Sequence, residues 1–354
     1  MNKLRVAVLF GGESSEHEIS RRSVSSILAH LNPEKYDVTC IGITKNGQWM
    51  LYTGRREAIM DGAWEQDAGN RLCMISSNTA IRGILLPDSG EVLPVDVIFP
   101  VLHGKNGEDG TVQGLFELAG IPYVGCGVLA SSACMDKAVT NMLLAYNGIP
   151  KAKFVWCYTD DYLENPAPVD AEIAEKLGYP VFVKPANAGS SVGVSKVSSP
   201  DELYEAMKIA GQEDGRIVIE EAIVGREVEC AVMGNRKPIA SVIGEVLTDV
   251  EFYTYEAKYK DPDSKTAIPA NLPVEISEQI RKTAVEAYRM LGCTGLSRVD
   301  FFVRNSDNAI LLNELNTLPG FTSISMYPKL FEAAGIPTPE LLDRLIELAL
   351  ERAG

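Results

Sequence analysis

From Val95 to Leu102 the chain reads VDVIFPVL, apolar at nearly every position. A run with no alternation has no face to give to water, so it predicts a central parallel strand covered by helices on both sides. The preceding segments agree. Leu4 to Phe10 is a β-rich apolar run, Gly11 to Ser15 a turn, Ser20 to Leu31 an amphipathic helix, and Tyr36 to Thr44 the next strand. The opening is therefore a βαβ unit. Open α/β sheets bind ligands outside the carboxyl ends of their strands. Two such ends, GGESSE after the first strand and HGKNGEDG from His103 to Gly110, mark one edge of a candidate site. The polar, less regular stretch from Thr53 to Gly90 receives no role.

At 354 residues the chain exceeds one ordinary core and predicts two or three α/β units. No apolar stretch approaches the roughly eighteen residues of a membrane helix. The first strand has only five consecutive apolar residues before its glycines, too few for a secretory signal. The expectation is an unexported, cytoplasmic protein. Seven scattered cysteines, odd in number and without a C-x-x-C pair, read as reduced core thiols. A net charge of -15 argues against nucleic acid or an anionic membrane as partner. A polyphosphate would need a few positioned lysines and arginines, with a metal, to invert the local field.

Beyond residue 125 the pattern changes. A helix is predicted from Ser131 to Asn147, a segment Lys153 to Tyr158, a short helix to Gly178, and a strand Val181 to Pro185. The Gly/Ser loop of Ala186 to Val197 then runs into a second β-branched segment. Ser199, Pro200 and Glu202 open a helix with a capping-box pattern. The last third holds an alternating run Arg226 to Met233, a long polar loop at 248–265, a helix Ile276 to Leu291, and strands Ser297 to Val303 and Ile310 to Glu314 joined by NSDN. The expected units are 1–124, 125–222 and 223–354.

Three constellations can carry chemistry. Arg298 and Asp300 share one strand face, as do Glu314 and Asn316 if extended backbone continues past Glu314. A hairpin centred on Asp307 sets Asp300 opposite Glu314, with Cβ atoms about 4.5 to 5.5 Å apart. Two carboxylates that close repel unless neutralised, and Asp, Glu and Asn oxygens suit Mg²⁺ completed by substrate phosphates. The plainer reading is a solvated charged face in which Arg298 pairs with Asp300. Second, KPANAGSSVG, Lys184 to Gly193, offers inward-pointing amides, hydroxyl donors and a lysine, the parts of a phosphate lid, or else is an ordinary hairpin. It is not a Walker loop. The G-x-S-x-G match at Ser191 lacks the helix that a nucleophile elbow requires and has no later histidine. GGESSE likewise lacks dinucleotide-binding glycine spacing. Third, EFYTYEAKYKD, Glu251 to Asp261, suits a closing lid or a mobile surface loop.

In chain order, GGESSEHEIS, LHGKNGEDGTVQG, MDK, VFVKPANAGSSVGVSKV, IVIEE, FYTYEAKY, SRVDFF and NELNTLPGFTS resemble the motifs of the D-alanine:D-alanine ligase family of the ATP-grasp superfamily. The resemblance covers nearly the whole chain. It implies a three-domain α/β ATP-grasp fold with an N-terminal Rossmann-like domain. It also implies ATP-dependent joining of two D-alanines through an acyl phosphate, for peptidoglycan precursors, with two Mg²⁺ ions, Mn²⁺ able to substitute, and room for a homodimer. By the same resemblance Lys137, Lys184, Ser190, Ser191 and Lys258 attend the phosphates, and Glu220, Glu221, Ile223 and Glu227 hold adenine and ribose. Asp300, Glu314 and Asn316 ligate metal, while Arg298 and the Gly320 amide face the oxyanion. Glu16 takes the first substrate's ammonium, with His103 near its carboxylate, and Lys258 and Ser325 take the second carboxylate. Glu16, Ser190 and Tyr259 form a closing triad. Tyr259 goes with amine acceptors in this family, and apolar Met326 with D-alanine over D-serine. The alternatives are a D-serine ligase, another ATP-grasp carboxylate–amine ligase, and a noncatalytic ATP-binding module.

Overall fold

The computed structural model describes residues 3–247 and 265–354. The opening unit forms as the sequence predicts: strand Leu4–Gly11, helix His17–His30 and strand Tyr36–Ile43, with the two strands parallel. The run at Val97–Val101 is buried throughout, but it is the outermost strand of a five-stranded sheet and pairs with Leu4–Gly11. This corrects the expected central position. Its outer edge is covered by irregular chain, since Ile98 N donates to Pro122 O at 2.8 Å and Val124 N to Ile98 O at 2.9 Å. Pro100, which has no N–H to give, suits an edge strand. The unassigned stretch from 53 to 90 covers the same sheet. It brings Trp64, fully buried, edge-on to Phe10 at 4.8 Å between ring centroids.

The single helix expected over Ser131–Asn147 is two, Val128–Met135 and Lys137–Tyr146. Asp136 between them is extended (φ -86°, ψ 103°) and caps the second helix, accepting from Val139 N at 2.9 Å. Its carboxylate also pairs with Arg216. A short acidic side chain that can cap offers the backbone an alternative to continuing the first helix. The stretch before Gly178 is also split, into Thr159–Glu164 and Ala167–Lys176. A four-stranded antiparallel sheet follows, in the order 195–197, 181–185, 216–221, 154–158, and the Gly-rich loop connects its first two strands. At the helix Pro200–Gly211 the capping box is only half made. Ser199 makes no side-chain cap, and Glu202 reaches back to Ser198 N at 2.8 Å.

The last sheet runs 265–267, 239–247, 225–233, 296–304, 310–316. Near the turn its hairpin pairs Val303 with Ile310 and Phe301 with Leu312; a bulge then shifts the register, so that Asp300 faces Glu314 and Arg298 faces Asn316. The centred-turn register thus holds at the site and not beside the turn. The final helix Thr338–Ala353 buries Leu341, Leu342, Leu345 and Ile346 in a cluster shared with Val6, Val8 and Phe99 of the first sheet. At about 1.5 to 3 kcal/mol for each fully buried aliphatic side chain, this helix fastens the end of the chain to its beginning. Arg352 in its last turn adds a polar clasp, donating to Tyr123 O at 2.9 Å and to Thr294 Oγ1 at 2.9 Å. Among the described residues no helix is long and apolar enough to cross a membrane. The loop expected at 248–265 falls, apart from its last residue, outside the described residues, and Lys258 and Tyr259 fall there with it.

Candidate active site

One cleft lies between the four-stranded sheet and the last five-stranded sheet. Its walls bring together Glu16, Lys137, Lys184, Ser190, Ser191, Glu220, Glu221, Ile223, Glu227, Glu314 and Asn316, all singled out in the sequence. Lys184 stands on the strand Val181–Pro185 and donates to Glu220 Oε2 at 2.6 Å. Glu220 also accepts from Asn141 Nδ2 at 2.7 Å and lies 3.5 Å from Lys151 Nζ. Burial works against the charge on Glu220, but the two lysines outweigh it and bring the carboxyl down to about 2. Lys137 Nζ donates to Ala188 O of the Gly-rich loop at 2.6 Å. One ATP lysine expected from the sequence is therefore tied to the floor of the cleft, the other to its lid.

The lid meets the first sheet at Glu16. Ser190 Oγ donates to Glu16 Oε1 at 2.5 Å, across 174 positions of chain. A Cβ on Gly189 would lie 2.7 Å from Glu16 Oε2, and one on Gly104 2.5 Å from it, so both glycines leave room for this carboxylate. Ser190 and Ser191 both adopt left-handed backbone, φ 50° and 58°, a conformation that costs a side-chain-bearing residue of order 1 to 3 kcal/mol. Such strain concentrates where a loop must present its groups to something. A strand follows Ser191, so this serine does not sit on a nucleophile elbow.

On the strand paired with Glu314 and Asn316, Asp300 accepts from Arg298 Nε at 2.8 Å and Nη2 at 2.6 Å, and from Asn316 Nδ2 at 3.1 Å. The pairing of Arg298 with Asp300, the plainer reading of this hairpin, is thus present, but the face is half-buried, with Asp300 its buried member. Arg298 Nε also lies 3.0 Å from Glu229 Oε2. Burial opposes the guanidinium charge, and Asp300 and Glu229 more than restore it. Among the described residues no three His, Cys, Asp or Glu side chains gather as a ready-made metal cage. The available set is two carboxylates and an amide, which suits a hard ion that takes few protein oxygens and completes its shell with phosphate oxygens.

A second group adjoins this one. His103 is buried, with Nδ1 3.0 Å from Leu318 O and Nε2 3.2 Å from Ser23 Oγ. Burial pulls its pKa down, which favours a neutral ring donating to Leu318 and accepting from Ser23. Phe321 N donates to the same Ser23 oxygen at 3.2 Å. Ser325 stands at the start of helix Met326–Ala333 and its Oγ accepts from Thr322 N at 3.0 Å. A Cβ on Gly320 would come within 2.8 Å of that oxygen. Met326 is buried in the core with its Cε against Gly244.

Sequence reading missed several members. Glu108 lines the cleft and accepts from Gly104 N at 2.7 Å. Burial, and then the proximity of Glu16, push its carboxyl up to about 8, so it keeps a proton near neutral pH. Nothing in HGKNGEDG tells which carboxylate turns inward. Glu229 could have been found, being two residues from Glu227 on one strand. Asn141 and Lys151, which complete the surroundings of Glu220, gave no signal.

Family profiles described as D-ala D-ala ligase N-terminus and D-ala D-ala ligase C-terminus match residues 5–126 and 143–347. The chain belongs to the D-alanine–D-alanine ligase family. It is 52% identical to a D-alanine–D-alanine ligase of Ruminiclostridium cellulolyticum, covering 99% of this chain and 96% of that relative. Among solved structures it resembles the VanG D-Ala:D-Ser ligase from Enterococcus faecalis, with TM-score 0.90, 41% identity, and 98% and 100% of the two chains covered. It also resembles the D-alanine–D-alanine ligase from Coxiella burnetii, with TM-score 0.86, 37% identity, and 99% and 96% covered. The three-domain ATP-grasp α/β fold anticipated from the motifs accords with these ligase structures. Within this ATP-dependent family, Glu16 and His103 lie in the N-terminal match and all the carboxylates of the hairpin in the C-terminal one.

Proposed function

We propose that the protein joins two D-alanines to D-alanyl-D-alanine in the cytoplasm, as a step toward peptidoglycan precursors, and that the units 1–124, 125–222 and 223–354 close around the reaction. The observation that carries this reading is the cleft itself. Two lysines, Glu314 and Asn316 of the metal-suited hairpin, and the Glu16 carboxylate face one space that a Gly/Ser loop already covers. Lys137 and Lys184 hold the phosphates of ATP, and Glu220, Glu221, Ile223 and Glu227 surround the nucleoside. Glu16 holds the ammonium of the first D-alanine, whose carboxylate takes the terminal phosphoryl group to give an acyl phosphate. The amine of the second D-alanine, held through Ser325 and Lys258, attacks that carbonyl, and the tetrahedral intermediate expels phosphate. Arg298 and the Gly320 amide stabilise the oxyanion. Asp300, Glu314 and Asn316 would hold Mg²⁺, two ions in our reading or Mn²⁺ in their place, which offsets charge on the transferred phosphoryl group. Closure by Ser190 keeps water from the acyl phosphate.

Lys184→Ala tests the nucleotide assignment. A charge-assisted contact to phosphate is worth roughly 1.5 to 3 kcal/mol, so the KM for ATP should rise about tenfold or more. Glu220 keeps Asn141 and Lys151 as neighbours, so the fold should survive. Unchanged ATP kinetics would make the Gly-rich segment an ordinary hairpin.

A D-serine acceptor is the second reading, raised by the likeness to the VanG ligase. Met326 offers no hydrogen-bond donor for an extra hydroxyl, but its side chain packs in the core against Gly244 and not among the residues lining the cleft, so the preference for D-alanine rests on the family likeness. Apolar pockets reject an added hydroxyl by only about a hundredfold, so some mixed dipeptide at high D-serine is compatible. Equimolar D-alanine, D-serine and D-lactate with ATP and Mg²⁺ should give mainly D-alanyl-D-alanine by mass spectrometry. A predominance of the serine dipeptide or the lactate ester would overturn the specificity.

A further inference from the structure

Three of the seven free cysteines meet at one place. Cys134 is the penultimate residue of the helix Val128–Met135, Cys293 follows the helix Val274–Met290, and their sulfurs lie 3.9 Å apart across 159 positions of chain. Cys126 is beside them with its sulfur already directed at Thr294 O, 3.3 Å away, and Leu296 O, 3.5 Å away. All three are buried, yet Cys134 forms part of the cleft wall that also carries Lys137 and Lys184. A small neutral oxidant in the cleft therefore meets Cys134 first, with a second thiol in van der Waals contact behind it. Cys40, the one cysteine that is not buried, stands on the strand Tyr36–Ile43 of the first sheet.

We propose that Cys134 and Cys293 form a peroxide-sensitive thiol pair, entered through the nucleotide cleft, whose closure to a disulfide shuts the cleft to ATP. The second half of this statement rests on the reading of the cleft as the ATP site. In the first step the Cys134 sulfur attacks one oxygen of hydrogen peroxide, the O–O bond breaks, and Cys134 sulfenic acid and water form. In the second, the Cys293 sulfur attacks the Cys134 sulfur and expels the hydroxyl, which leaves as water with the thiol proton. Two thiols lose two electrons and two protons, and one peroxide becomes two waters. Bond formation draws the sulfurs from 3.9 Å to about 2.05 Å. An interior packed like an organic crystal cannot absorb that without moving the cleft wall.

The test uses the whole protein, treated with hydrogen peroxide with or without a saturating non-hydrolysable ATP analogue, then alkylated, digested and mapped by mass spectrometry. The expected product is a Cys134–Cys293 linked peptide whose formation the analogue slows. It should be accompanied by a fall of at least about tenfold in kcat/KM for ATP, about 1.4 kcal/mol, which dithiothreitol reverses. In Cys293→Ser the linked peptide should vanish and dimedone should trap sulfenic acid on Cys134. The wild-type mapping needs no variant, so poor folding of Cys293→Ser would not remove the test. A link from Cys126 to Cys293, or oxidation confined to Cys40 and the methionines, overturns the pair. Linkage that proceeds equally fast with the analogue bound, in protein that turns over ATP, overturns entry through the cleft. Protein that never turns over ATP would instead count against the nucleotide reading, which the link itself does not depend on.

Discussion

Glu314→Gln is expected to yield a folded protein that ligates at least about a hundredfold more slowly at saturating Mg²⁺, since a bound ion is worth several kcal/mol of transition-state charge stabilisation. The register places Asp300 directly opposite Glu314, so removing one charge relieves repulsion between the carboxylates while the amide keeps the volume. Activity and stability should therefore separate. Unfolding midpoints without metal should equal or exceed those of the unaltered protein, while stabilisation by added Mg²⁺ and ATP shrinks. Near-normal turnover would sink the metal assignment.

Arg298→Ala should do the opposite and damage both. The guanidinium side chain is only 19% exposed and joins Asp300 to Glu229. Removing one partner from a buried ion pair costs about 3 to 5 kcal/mol, because the remaining charges stay in a poorly solvated place. Turnover should also fall by about a hundredfold or more, as for loss of one oxyanion donor. Lysine should not rescue it, because the contact to Asp300 uses two nitrogens of a planar fork. Added Mg²⁺ should recover part of the lost stability and little of the turnover. An Arg298→Ala protein of unaltered stability and turnover within tenfold would show that this cation neither supports the hairpin nor meets the reacting atoms.

The site was legible wherever chemistry depends on strand alternation. Arg298, Asp300, Glu314 and Asn316 could be paired from a turn centre and a period of two. The bulge near Asn313 could not be read, because a residue that leaves the ladder looks in sequence like any other. Its effect is concrete, since Asn313 is left out of the ladder and every pair beyond it shifts by one residue. The run at Val97–Val101 announced burial on both faces, but burial does not distinguish a second strand from covering loop; only Pro100 favoured an edge. The break at Asp136 was hidden because apolar helices on both sides blur the periodicity. Glu108 was hidden for another reason. Its raised pKa arises from burial beside Glu16, a neighbour distant in sequence and close only after folding.

The contact between Ser190 and Glu16 also sets an order of events. On the proposed reading Glu16 holds the ammonium of the first amino acid, which must then share or displace the serine hydroxyl. Neither that substrate nor the finished dipeptide passes Glu16 while the loop is latched. Each catalytic cycle then includes one unlatching and one relatching, movements of the microsecond-to-millisecond class. The rate of unlatching becomes a ceiling on turnover that no improvement in the bond-forming steps can raise. On that reading, the same latch that protects the acyl phosphate from water makes departure of the product a step with its own barrier.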